Sequence, residues 1–359
     1  MMVIALLLLT YSDFRGIWVP RWSLADNNKI FMNLEGKFNH IFLQVFALGE
    51  AYYPSSYAPN KRTSDKWLRD FLDEAHRRNI RVSAWVNMYY FWGYGPVSSN
   101  RMHPIVSKPG WFVVDRNLRS ILDYSIDELK DLGSEGYYLS PANPEVQDYL
   151  IRVLEELIDK YDFDGIHLDY IRYPNAGFIY DTALRTKFLR KYYFDPMELQ
   201  QSAELQSRLS LWGLEDLTSH RDEFICRDLS DFIKAVSKAI KSKRSDVYIS
   251  AAVKPDYSAA RHEFYQDWLD WLNSNYLDFV CLMAYSNNIE NYLNKVGEVV
   301  NDPQRVMIGL GLYNHKPETI GRQVVFVDKT PFGGTVFFSY EELKKNRAYL
   351  NTINKPLLP

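Results

Sequence analysis

Residues 164–174 read DGIHLDYIRYP. In a strand, successive side chains point to opposite faces. Gly165, His167 and Asp169 therefore share one face, and Ile166, Leu168 and Tyr170 share the other. The all-apolar face suits packing against helices, which turns the Gly/His/Asp face into the centre of a barrel. Asp169 comes last and reaches the C-terminal rim. A carboxylate turned inward there is costly unless it is paired, with Arg172 for example, or works on a substrate. Asp164 opens the strand at the opposite end and reads as structural. His167, one layer below Asp169, is either a satisfied core histidine or a partner that orients Asp169.

Working outward, residues 143–160 open with Asn-Pro, an N-cap followed by proline at the first helical position. Val146, Leu150, Val153, Leu154 and Leu157 then fall on one helical face. Residues 63–78 (TSDKWLRDFLDEAHRR) carry a similar stripe behind Thr63 or Ser64, and 224–240 and 264–272 repeat it. Seven further short apolar runs flank strand four: 16–21 (GIWVPR), 40–47 (HIFLQVFA), 81–87 (RVSAWVN), 247–253 (VYISAAV), 278–285 (DFVCLMAY), 306–312 (VMIGLGL) and 334–339 (GTVFFS). Eight alternations of strand and helix predict an α/β fold, a (β/α)8 TIM barrel. The two longest strand-to-strand steps place long insertions after strands three and four, at 88–142 and 170–223. Both rise from the C-terminal face, where barrel enzymes hold their active sites. Residues 13–350 read as one barrel domain. The apolar segment 1–12 is too short to span a bilayer and lacks a charged n-region and a cleavage site. It is either a leading segment packed under the fold or the remnant of an export signal.

The chain has 359 residues and a net charge of −3, so it has no basic field of the kind nucleic acids attract. Two cysteines exclude a disulfide scaffold and a CxxC metal site. No HExxH, EF-hand or P-loop pattern occurs, and GLGL (309–312) lacks the GxGxxG spacing. No metal and no cofactor are expected, and the oligomeric state is left open. The unusual number is 9 Trp, 26 Tyr and 20 Phe, 15% of the chain. Many of these rings follow strands, densest in MYYFWGYG (88–95). A flat ring covers the apolar face of a sugar and offers a polar edge, so the cluster suggests a glycan cleft.

FRGIWVPRW (14–22), FLQVFALGEAYYPSSYAP (42–59), LDEAHRRNIRVSAWVN (72–87), the run from YLSPANPEV through DGIHLDYIRYP (138–174) and YQDWLDWLNSNYLDFVCLMAY (265–285) occur in one order. Together they resemble the bacterial glycosyl-hydrolase-like 10 family. The resemblance implies a TIM barrel, action on glycans and, often, export to the periplasm, the cell envelope or the medium. It matches Asp169 to the acid ending the fourth strand, Asn87 to the Asn ending strand three, and Gln44 to the polar residue of strand two. It also matches Glu50 to a frequently acidic loop position and Arg21 and Trp22 to the end of strand one. The chain departs from the pattern at AAVKPD (251–256) and at Leu282-Met283.

Glycoside hydrolysis usually needs two carboxyl groups flanking the scissile bond. Asp169 is the first, as nucleophile or base. Glu50 and Asp256 are the rim candidates for the second, with Asp256 favoured because strand five neighbours strand four; Lys254 could tune either. Glu263, Asp267, Glu341 and Glu342 stand at helix starts, where acids suit the macrodipole. The expected substrate-binding set is Arg21, Trp22, Gln44, Trp85, Asn87, Tyr90, Trp92, His167, Arg172, Tyr173, Lys254 and Tyr285. The expected function is a glycoside hydrolase acting on an oligo- or polysaccharide. The rivals are a catalytically silent carbohydrate-binding barrel and a polysaccharide lyase with Lys254, Tyr173 or Tyr285 as base.

Overall fold

A computed structural model of the chain describes residues 14–34, 36–199 and 203–353. The N-terminal segment expected at 1–12 lies outside them. Eight parallel strands form the centre: β1 (Phe14–Val19), β2 (His40–Ala47), β3 (Arg81–Asn87), β4 (Gly165–Asp169), β5 (Tyr248–Val253), β6 (Phe279–Met283), β7 (Val306–Gly311) and β8 (Gly334–Phe338). Each pairs with the next, and β1 pairs with both β2 and β8, so the sheet closes into a TIM barrel. β1 starts two residues earlier than expected and stops at Val19, before Pro20. β6 ends at Met283, which leaves Tyr285 on the rim.

The outward positions, such as Ile41, Leu43, Ile166, Leu168 and Val280, join the surrounding helices in one large apolar cluster. Inside the barrel Trp18, Phe42, Trp85, Phe279, Cys281, Met307 and Val336 form a second, smaller cluster. Polar groups buried among them are paired. His40 bonds Ser83 Oγ at 2.8 Å, and burial pushes its pKa down to about 3. Gly165 points inward at this level, where an added Cβ would lie 2.4 Å from Ser83 Oγ.

The helix Pro144–Lys160 buries the predicted face, and Asn143 caps it by accepting from the Glu145 N–H at 2.9 Å. The helix Lys66–Arg77 buries Leu68, Phe71, Leu72 and Ala75. Its N-cap is Asp65, not Thr63 or Ser64, and Trp67 stays partly exposed under the Arg62 guanidinium, 4.7 Å from the ring centroid. The helix expected at 224–240 belongs to the longer stretch Ala203–Lys243, broken at Ser210 by a left-handed φ of 59°. No helix among the described residues is long and apolar enough to cross a membrane.

Both insertions rise over the C-terminal rim. The first contains an antiparallel pair, Tyr90–Trp92 with Tyr137–Tyr138. Gly136 sits at φ 152°, and a Cβ there would lie 2.2 Å from the Trp92 carbonyl oxygen. Only glycine tolerates that approach, and it sets Glu135 at the edge of the barrel mouth. The two insertions also meet directly, through Asn175 Nδ2 donating to the Leu132 carbonyl at 2.9 Å.

Candidate active-site cleft

β4 ends at Asp169, in register with Asn87 of β3. The next residue, Tyr170, adopts a left-handed φ of 52°. A tyrosine there costs roughly 1–2 kcal/mol, and such strain concentrates at functional sites. The bend brings the Tyr170 N–H onto Asp169 Oδ1 at 2.8 Å. Trp85 Nε1–H donates to Oδ2 at 2.9 Å. Each oxygen thus receives one fixed donor. The side chain is nonetheless buried, with 7% exposure. Burial raises the carboxyl to about 6, against the two N–H bonds and the Arg172 charge, which favour the anion.

Asp169 lies in a cleft of about 550 Å³ at the C-terminal rim. The other carboxylate in its lining is Glu135. Glu135 Oε2 accepts from Arg172 Nη2 at 2.6 Å and from the Tyr138 hydroxyl at 2.9 Å. Partial enclosure would push its carboxyl up. The charges of Arg172 and Lys254 and the two hydrogen bonds outweigh this and hold it below the usual carboxylate range. The side chain is 47% exposed, so it faces the open cleft. Arg172 is itself buried and also lies over the rings of Tyr170, Tyr138 and Phe264.

A polar chain crosses the mouth between β1 and β3. Gln44 Oε1 accepts from the Arg21 backbone N–H at 3.1 Å, and Gln44 Nε2 donates to Asn87 Oδ1 at 3.1 Å. A register irregularity between Gln44 and Phe46 marks this point of β2. Bulges of this kind re-aim side chains. Aromatic rings make the remaining walls. Tyr90 stacks on Tyr170 at 4.5 Å, Tyr285 stacks on Phe338 at 5.6 Å, and Trp22 stands 57% exposed at the mouth.

Of the residues singled out in the sequence, the cleft brings together Asp169, Arg21, Trp22, Gln44, Trp85, Asn87, Tyr90, Arg172, Lys254 and Tyr285. It leaves five out. Asp256 caps the helix Tyr257–Phe264, accepting from the Ala259 N–H at 3.1 Å. Glu50 lies in a short strand on the end of β2 and pairs with Lys61 at 3.0 Å. His167 is fully buried below the cleft: Trp18 Nε1–H donates to its Nε2 at 3.1 Å, and its Nδ1 meets Ser250 Oγ at 2.9 Å. It is a satisfied core histidine, held neutral by burial, and its ring nitrogens bond these two residues rather than Asp169. Tyr173 is buried against Tyr265. Trp92 donates to the Gly95 and Pro96 carbonyls of its own loop. Arg172 pairs with Glu135 and not with Asp169. Glu135, Trp18 and Phe338 line the cleft without having been picked out. The Glu135-Gly136 pair is the one trace the sequence offers of the first.

The aromatic excess divides accordingly. Tyr53, Tyr89, Phe91, Tyr138 and Tyr173 are buried under the loops and join the large outer apolar cluster. Trp22, Trp85, Tyr90, Tyr170, Tyr285 and Tyr313 face the cleft.

A closed (β/α)8 barrel with a carboxylate-bearing, ring-walled cleft on its C-terminal face is the architecture of many glycoside hydrolases. The chain belongs to the glycosyl hydrolase-like 10 family, whose model matches residues 14–320. It is 22% identical to glycosyl hydrolase YngK of Bacillus subtilis, over 86% of this chain and 61% of the relative. It is 29% identical to glycosyl hydrolase DigH of Escherichia coli K12, over 38% of this chain and 32% of the relative. The chain therefore spans about three-fifths of the length of the first relative and a third of the second. Among solved structures, the glycoside hydrolase domain of PgaB (BpsB) from Bordetella bronchiseptica superposes with a TM-score of 0.69 at 15% identity. That match covers 96% of this chain and 99% of the other. At that identity the likeness shows the fold.

Proposed function

We propose that the protein hydrolyses O-glycosidic bonds of an oligo- or polysaccharide bound across the C-terminal cleft, with Asp169 and Glu135 as the acting carboxyl pair. The observation that carries this reading is the opposite displacement of the two groups within one cleft. Asp169 is raised to about 6 and Glu135 is held below the usual range. Glycosidases separate an acid from a base or nucleophile in this way. Asp169, still partly protonated near neutral pH, is suited to protonate the leaving oxygen. Glu135, ionised and half-exposed, is suited to activate water or to stabilise the positive charge growing at the anomeric carbon. Trp85 and Tyr170 hold the Asp169 carboxyl in one orientation, and Arg172 does the same for Glu135. The stacked pairs Tyr90–Tyr170 and Tyr285–Phe338 supply flat surfaces for sugar rings on two sides.

The test is hydrolysis of a panel of oligosaccharides by the wild-type chain, Asp169→Asn and Glu135→Gln. Loss of turnover in both variants with the fold retained supports the pair. Full activity in Asp169→Asn overturns it. Export is part of the same reading. It rests on the family and on the apolar residues 1–12, and fractionation of cells expressing the full chain tests it.

A further inference from the structure

The cleft holds more positive charge than its carboxylates use. Three cations, Arg21, Arg172 and Lys254, line it against Asp169 and Glu135. Arg172 is matched by Glu135 at 2.6 Å. Among the described residues no carboxylate lies within ion-pair distance of Lys254 or Arg21. The Lys254 ammonium sits 4.5 Å from the centroid of the Phe264 ring, and its own backbone N–H is bonded to Gln266 Oε1. The Arg21 guanidinium lies over Trp22 at 5.0 Å and reaches Gln44 Oε1 at 3.4 Å, a neutral acceptor. These two cations follow β1 and β5, on opposite sides of the barrel. Asp169 lies between them in the chain of strands, at the end of β4.

An ammonium partly withdrawn from water with no anion in contact is unfavourable. Burial and repulsion from Arg172 work against the Lys254 charge, and Glu135, Asp169 and, outside the cleft lining, Glu263 support it from a distance. When Asp169 carries the proton that acid catalysis requires, three cations face one anion. A neutral sugar offers no counter-charge to such a wall; an anionic one does.

We propose that the cleft selects a glycan bearing anionic substituents, and that Lys254 is the residue that seats the charged group beside the scissile bond. This rests on the glycosidase reading above and names its substrate class. Lys254 is a compact point charge and does not distinguish a carboxylate from a sulfate by shape, so either source satisfies it.

The experiment is binding of the Asp169→Asn chain to an array holding neutral, carboxylated and sulfated glycans. Melting temperature checks the fold. The expected result is retention of anionic glycans, with the carboxylated and sulfated sets telling which group is used. Lys254→Met in the same background lowers that binding at least tenfold, and Lys254→Arg restores most of it. A parallel measurement on the otherwise native chain at low temperature avoids reliance on the variants: raising the ionic strength weakens binding of the anionic glycans and leaves any neutral ones unchanged. Retention of neutral glycans as tightly as anionic ones, or equal binding by Lys254→Met, overturns the anionic subsite and leaves the glycosidase reading intact. Binding to none of the three sets overturns both.

Discussion

β4 is flanked by two aspartates at its two ends, and they have different work. Asp164, at the bottom, accepts the Val82 N–H at 2.8 Å and bonds His76 Nε2 at 2.9 Å. It ties β4 to β3 and to the helix Lys66–Arg77 beside it. Asp169, at the top, receives one N–H on each oxygen, but its donors are a ring inside the barrel and the next residue of a strained turn. Its surroundings raise its pKa to about 6 and open onto a cleft. The same side chain five residues apart is a staple in one place and a titratable group at a working pH in the other. The difference is made by the direction of the barrel and by which loops stand over each end.

The largest expected effect breaks this comparison if it fails. Asp169→Asn should lower kcat/KM by at least about three orders of magnitude, roughly 4 kcal/mol of transition-state stabilisation. It should not lower stability at neutral pH. The folded pKa lies above the ordinary aspartate value of 3.8, so protonation favours the folded state below about pH 4, and that contribution is lost as pH rises through 6. Asparagine avoids the charge, a gain of up to about 3 kcal/mol above pH 6, but its NH2 group faces one of the two N–H donors, a loss of about 1–3 kcal/mol, so denaturant melts should place the variant near wild type. Asp164→Ala should do the reverse, keeping kcat while losing about 1–2 kcal/mol of stability through its two hydrogen bonds. If both variants lose stability and activity together, the two ends are not functionally distinct.

The same contrast shows what a sequence carries. Strand four could be read because its alternation, its capped helix and its final acid are all local. Counting alone puts Asp164 and Asp169 at opposite ends. Glu135 cannot be placed so, because it lies deep in an insertion. Its position depends on a two-strand pairing of Tyr90–Trp92 with Tyr137–Tyr138 and on the special backbone of Gly136. Strand order favours Asp256, which lies after β5, yet in the fold the start of a short helix claims its carboxyl as a cap. Strand adjacency placed the residue correctly around the barrel but did not decide where the side chain turned. His167 shared the inward face as predicted, and the barrel interior supplied Trp18 and Ser250, from β1 and β5, to satisfy it.

Next in size is Glu135→Gln. It removes the ionised member of the pair while keeping an acceptor for Arg172 and Tyr138. A fall of roughly 10²–10⁴ in kcat is expected, with some loss of stability as well, because the buried Arg172 loses its counter-charge. Their separate environments also predict the shape of the pH profile. Activity that needs Asp169 protonated declines as pH rises above about 6. The limb that needs Glu135 ionised falls below the usual carboxylate range. Trp85→Phe removes a hydrogen bond that favours the Asp169 anion, so the upper limb should move to higher pH. An unmoved limb would mean that Asp169 is not the group being titrated.

The smallest effect concerns Tyr173, four residues beyond Asp169 and expected from the sequence to touch substrate. In the fold it is buried, and its hydroxyl has no hydrogen-bond partner. An unsatisfied buried hydroxyl carries a desolvation penalty of about 1–3 kcal/mol, and replacing it with an apolar group of the same shape is neutral or stabilising. Tyr173→Phe should therefore leave kcat and KM unchanged and raise the unfolding free energy by up to about 1 kcal/mol. Tyr285, which shares the ring chemistry but lines the cleft and stacks on Phe338, supplies the contrast: Tyr285→Ala should raise KM and also lower stability, because the ring packs on Trp18 and Tyr313 as well. A Tyr173→Phe chain that loses stability would instead show that its hydroxyl makes a favourable contact in the folded protein.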